Sequence, residues 1–155
     1  MSYDIILCYR QPGQTWDEVR EAEEEAILAR GDGPDPLLIP EDLAAWERIL
    51  RQTQDYLGEV TVTEGDSQRE LDHAVTGIQL RLYHGSAGIS VPYWTDGDAA
   101  AAVLEKAYHL ALMVERETGL EAYDPQVEAT VAELRNGGEK IGVKVFDQVA
   151  KLFGR

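Results

Sequence analysis

Thiols are almost absent from this 155-residue chain: Cys8 is the single cysteine. One thiol excludes an intramolecular disulfide framework and any zinc or iron–sulfur site assembled from several thiolates. Basic residues are also scarce, 14 against 29 acids, for a formal charge of −15. That field repels nucleic-acid phosphates unless a local basic patch overcomes it, so neither DNA nor RNA is an expected partner. Nowhere do about 18 apolar residues run together, so no membrane partner is expected either. The opening MSYDIILCYR has an acid at Asp4 and an apolar run too short for a signal sequence. With the lone cysteine, this predicts a cytoplasmic protein. Missing too are a G-x-G-x-x-G fingerprint, a P-loop, an H-E-x-x-H and a G-x-S-x-G, so no cofactor, metal or catalytic residue is announced.

What is present is one domain's worth of ordinary apolar content, 44% of residues, enough for a single core. The charge is uneven. Residues 1–136 hold 10 basic and 27 acidic groups, a sum of −17. Residues 137–155 hold Lys140, Lys144, Lys151 and Arg155 against Glu139 and Asp147, a sum of +2. We therefore expect one α+β domain over 1–136 and an amphipathic C-terminal helix over 137–155, packed on the same domain. Ile141, Val145, Val149 and Leu152 form the apolar face of that helix. Arginine outnumbers lysine 10 to 4, a bias that could be read as phosphate or carboxylate recognition but that GC-rich codon usage explains better.

The periodicity predicts the order β-α-α-β-β-β-α-β-α, with about five strands in a mixed or mainly antiparallel sheet covered by helices. YDIILCY places Tyr3, Ile5, Leu7 and Tyr9 on one face and apolar Ile6 and Cys8 on the other, the pattern of a central strand. Thr15 and Glu18 stand in capping-box spacing before a Glu-rich helix with a stripe of Trp16, Val19, Ala22, Ala26 and Ile27. Leu43, Trp46, Leu50, Thr53 and Leu57 recur at helical spacing up to Gly58. EVTV reads as a short strand. GIQLRLYHGSAGISVPYW alternates strictly on both sides of HGSAG, a β-hairpin, with Pro92 marking a bulge or sheet edge. A long helix, with Asp96 and Asp98 as acid caps, runs to Gly119. LEAY follows as the last strand. Asp124 then caps a helix whose first position is Pro125, so this pair is read as a structural turn and cap.

Candidate binding residues gather on the hairpin. Tyr83, Tyr93 and Trp94 form an aromatic group, with Tyr108 and Tyr123 within reach if the long helix and last strand pack nearby. Such aromatics either line a core or form a binding surface ringed by acids. His84 at the turn and Asp96 complete the candidates, although turn and capping chemistry explain both. His109 is expected as a partly buried helical side chain. GDGPDP fails as a calcium loop because Pro34 and Pro36 break the ligand spacing.

At TGLEAYDPQ, together with AGISVPYW, the sequence resembles a set of small, mostly uncharacterised bacterial proteins, some of which look like immunity proteins of contact-dependent or secreted toxin systems. The resemblance covers residues 88–94 and 118–126. It implies a non-enzymatic cytoplasmic protein that binds and blocks a partner, with Tyr123, Asp124 and Gln126 in structural roles. The Gly137–Gly138 break and the amphipathic tail depart from that pattern. The acidic charge points the same way, toward a basic protein partner. A small enzyme or ligand-binding protein with a pocket between the 78–94 hairpin and the 99–118 helix is the alternative.

Overall fold

The computed structural model describes residues 2–92 and 97–136, the second span with side chains from Ala100 onward. Tyr93, Trp94, Asp96 and the segment 137–155 lie outside the described residues.

Among the described residues eleven elements follow one another: β1 (Ser2–Cys8), α1 (Trp16–Arg30), α2 (Pro40–Leu57), β2 (Thr61–Glu64), β3 (Gln68–Asp72), β4 (Gln79–Tyr83), β5 (Ser86–Pro92), α3 (Gly97–Thr118), β6 (Glu121–Asp124), β7 (Ala129–Thr130) and α4 (Val131–Asn136). The fold is α+β, as the alternation of patterns predicts. The seven strands form one sheet in the order β2-β3-β4-β5-β1-β6-β7, and every adjacent pair is antiparallel. β1 is central, between β5 and β6. The two strands beyond the expected five are β3 and β7.

One face of the sheet carries the core. Tyr3, Ile5 and Leu7 of β1, Leu71 of β3, Leu80 and Leu82 of β4, and Ile89 and Val91 of β5 are buried in one cluster with Trp46 and Ile49 of α2 and Leu104, Ala107, Leu110, Ala111 and Val114 of α3. Each of the leucine, isoleucine and valine side chains among them contributes roughly 1.5–3 kcal/mol by leaving water. Tyr9, expected to continue the inward face of β1, lies beyond the strand end and is exposed.

Local chemistry sets the ends. Thr15 Oγ1 accepts the Glu18 N–H at 3.1 Å and starts α1. Asp42 Oδ2 accepts the Ile39 N–H at 2.9 Å one turn into α2. The β4–β5 hairpin closes over only His84 and Gly85, with Gly85 at φ 82°, a conformation that costs little without a Cβ. His73 fastens α2 to the β3–β4 loop. Its Nε2 lies 3.0 Å from the Leu57 carbonyl, which can only accept, so Nε2 carries the proton. Nδ1 lies 2.7 Å from the Thr76 hydroxyl, so both ring nitrogens of this buried imidazole have a partner.

The segment after β6 corrects the sequence reading. Asp124 and Pro125 do form a turn, but no helix begins there. Residues 125–128 turn the chain back as a hairpin loop, and Tyr123 and Asp124 pair with Thr130 and Ala129. Glu128 takes the left-handed conformation, φ 54°, which closes the turn. α4 starts at Val131, and its cap is Thr130, whose Oγ1 accepts the Glu133 N–H at 3.2 Å.

Candidate functional site

Register decides which side chains leave the core. Because cross-strand partners share a face, the pairs Arg81–Gly88, Tyr83–Ser86, Gln79–Ser90, Asp4–Ser90, Ile6–Gly88 and Cys8–Ser86 all project from the side opposite α2 and α3. This second face is polar and built on small residues along β5. Arg81 forms an ion pair with Glu70 of the neighbouring strand, which raises the arginine further above its ordinary range.

α1 lies along this second face. Trp16 stacks on Tyr123 of β6 with ring centroids 4.3 Å apart and planes 12° from parallel. The Arg10 guanidinium sits 5.1 Å from the Trp16 ring centre and is held there by Glu121, with Nε and Nη2 at 2.6 and 2.9 Å from the two carboxylate oxygens. This anchors only the beginning of the helix. Val19 is its one buried residue, and Ile27 and Leu28 are 51% and 79% exposed. At the far end, Arg30 pairs with Asp35 at 3.3 Å. Among the described residues, none of the acids Asp17, Glu18, Glu21, Glu23, Glu24 and Glu25 makes an ion pair.

Between α1 and the sheet runs a groove. One part, about 200 Å³, is lined by Ile6, Cys8, Glu23, Arg81, Tyr83, Ser86, Gly88 and Ser90 among others. A second part, about 330 Å³, is lined by Glu23, Ala26, Ile27, Arg30, Asp35, Pro36, Tyr83, His84 and Ser86. Glu23, Tyr83 and Ser86 border both, so the two parts adjoin and together form the channel between α1 and the sheet. Burial, with Glu23 nearby, pushes the Cys8 thiol up to about 11. At neutral pH it is therefore a thiol rather than a thiolate, which is the wrong form for a nucleophile.

Of the predicted binding residues, Tyr83 and His84 line this channel, together with α1 rather than the 99–118 helix. His84 is also tied to α2, its Nδ1 2.9 Å from Asp42 Oδ2. Tyr93, Trp94 and Asp96 lie outside the described residues. Tyr108 lies on the core face of the sheet, hydrogen-bonded to Asp124, whereas Tyr123 lies on the second face and stacks on Trp16, so these two tyrosines do not belong to one aromatic group. His109 is partly buried, as expected, and stacks on Tyr56 with centroids 4.0 Å apart. Sequence reading missed Glu23, Arg81, Ser86 and Gly88. Glu23 was hidden among solvent-facing acids, but an isolated glycine inside a strand pattern, Gly88, was an available sign of close approach.

Asp124 has a role that its neighbours in sequence do not announce. Its side chain is completely buried. The Tyr108 hydroxyl donates to Oδ2 at 2.5 Å, the Tyr3 hydroxyl donates to the same oxygen, and the Gln126 N–H donates to Oδ1 at 3.0 Å. Burial raises the carboxyl above its ordinary range, against the opposing effect of those donors. Both tyrosines are pushed well above theirs, by burial first and then by the carboxylate. The cluster ties β1, α3 and β6 together inside the core.

Among the described residues, no helix is long and apolar enough to cross a membrane, and no group of three or more His, Cys, Asp or Glu is placed to hold a metal ion. No protein-family model matches the chain, and neither a curated protein nor a solved structure matches it significantly.

Proposed function

We propose that this chain is a cytoplasmic protein-binding module of the immunity or inhibitor kind, and that it engages a basic surface of its partner through α1 and the adjoining channel. The observation that carries this reading is the state of α1. Fifteen residues of helix bury one side chain, leave Ile27 and Leu28 in water, and hold six acids that make no ion pair among the described residues. A helix that contributes so little to its own core is better placed to serve another protein's surface. Exposed aliphatics supply area, and the acids steer a basic partner, raising the association rate more than the affinity. The resemblance to immunity-type proteins agrees with this, as does the repulsion of nucleic acid by the net charge.

The test begins with crosslinking in a lysate of the producing cells, followed by association kinetics with the purified partner. Replacing Glu21, Glu24 and Glu25 by lysine is expected to slow association about tenfold at low ionic strength and to flatten its salt dependence. An unchanged rate, or a partner with no basic surface, would overturn the proposal.

A small-molecule site is the second reading, favoured by the part of the channel beside Tyr83 and His84, whose volume of about 330 Å³ is within the usual range for ligands. It predicts a rise in melting temperature on adding the low-molecular-weight fraction of the same lysate, and no protein partner.

A further inference from the structure

Gly88 is costly where it stands. It lies in the middle of β5, which is paired on both sides, and a glycine inside a strand weakens it by removing the side chain that would pack and by freeing the unfolded backbone. Crowding does not require it. A Cβ built at Gly88 meets only the Ile5 carbonyl oxygen, at 3.9 Å, an ordinary contact. The position would hold a larger residue, and β-branched residues are the ones strands favour. What the glycine does is keep the channel floor low: Ser86, Gly88 and Ser90 follow one another along the second face beneath Glu23, whose carboxylate has no ion pair among the described residues.

We propose that this channel receives an extended segment of a protein partner, small or aliphatic where it meets Gly88 and lysine- or arginine-bearing where it passes Glu23. The inference rests on the reading of α1 as an interaction surface and adds the form and chemistry of what enters. From Ser86 to Ser90 an extended strand covers about 13 Å, so the floor matches four or five residues of extended chain with alternate side chains pointing down to the glycine and up to the helix. Charge selects the occupant: the channel roof is an acid in a molecule of net charge −15, and the two arginines among its described lining residues, Arg81 and Arg30, are already paired with Glu70 and Asp35.

The experiment uses the full ¹⁵N-labelled chain and two synthetic heptapeptides, one alternating lysine with valine and one alternating glutamate with valine. The lysine peptide is expected to shift the amide resonances of Glu23, Tyr83, Ser86 and Gly88 and to be released by 0.5 M salt, while the glutamate peptide shifts none of them. Gly88→Val is expected to weaken the lysine peptide at least tenfold while raising the melting temperature by about 2 °C. Glu23→Gln, at an exposed helical position, supplies a second variant with no packing consequence and should weaken binding several-fold. Shifts spread over the outer face of α1 and unaffected by Gly88→Val would overturn the channel but leave the α1 surface standing. Equal binding of both peptides, or no binding of the lysine peptide, would overturn the inference outright.

Discussion

A carboxylate with no exposed surface needs a cation, several donors or a proton to be tolerable. Asp124 has donors from Tyr3, Tyr108 and Gln126 and still sits above the ordinary carboxyl range because burial outweighs them. The sign of the resulting pH dependence follows. Below the ordinary carboxyl range the group is protonated in both folded and unfolded chains and contributes nothing. As pH rises, the unfolded chain ionises first while the folded one keeps its proton, so stability falls until the folded group also ionises and is constant thereafter. Asp124→Asn should remove this fall, and the difference between wild-type and variant unfolding free energies, followed from pH 3 to 8, should decline and then level. A difference that does not change with pH would refute the account. Asp124→Ala takes an acceptor from Tyr108, Tyr3 and Gln126 together and should cost about 2–4 kcal/mol. A simple helix cap predicts about 1 kcal/mol.

At the level of elements, the parts of the fold legible in the sequence are those whose own residues carry the period of a strand or helix. β1, the β4–β5 hairpin, α2 and α3 each alternate or recur with their apolar residues on the core side. β3 does not: QRELD offers Leu71 as its one apolar residue, and the strand exists because Leu71 reaches the core while its neighbours pair with β2 and β4. β7 has two residues, below any period. Asp124-Pro125 fits a helix start so well locally that the hairpin was overlooked, although Thr130 and Glu133 stand in capping spacing six residues on. The channel was half legible: Tyr83 and His84 were singled out from the turn, but only register reveals which residues face α1. That helix also yields a dynamic prediction. With one buried residue and an anchor at Trp16, its local opening should cost far less than global unfolding. Trp16→Ala should speed amide exchange in residues 16–30 about tenfold and leave exchange in α3 unchanged. Equal acceleration in both helices would mean that α1 opens only with the whole molecule.

For the whole molecule the dominant quantity is a charge of −15 on 155 residues, and it separates two explanations for the acids. Like charges repel most when the chain is compact, so the folded state is penalised at low ionic strength and relieved as the screening length shortens from about 30 Å at 0.01 M to about 8 Å at 0.15 M. Thermal stability should therefore rise over that interval. Replacing Glu21, Glu24 and Glu25 by lysine changes the charge from −15 to −9, and all three side chains are exposed on α1, so no packing is lost. If the acids exist for a partner, the variant should be more stable than the wild type at 0.01 M salt, by about 1 kcal/mol or less given the exposure of the sites. That advantage should shrink at 0.15 M, and the variant should still associate slowly with the partner. Acids kept for solubility in a salty cell interior predict a different curve: stability that goes on rising steeply into molar salt, a variant that precipitates, and an unchanged association rate. Melting curves at 0.01, 0.15 and 2 M salt, with the kinetic measurement on the same two proteins, distinguish the cases. A wild type that is indifferent to salt below 0.15 M would sink the electrostatic argument at its base.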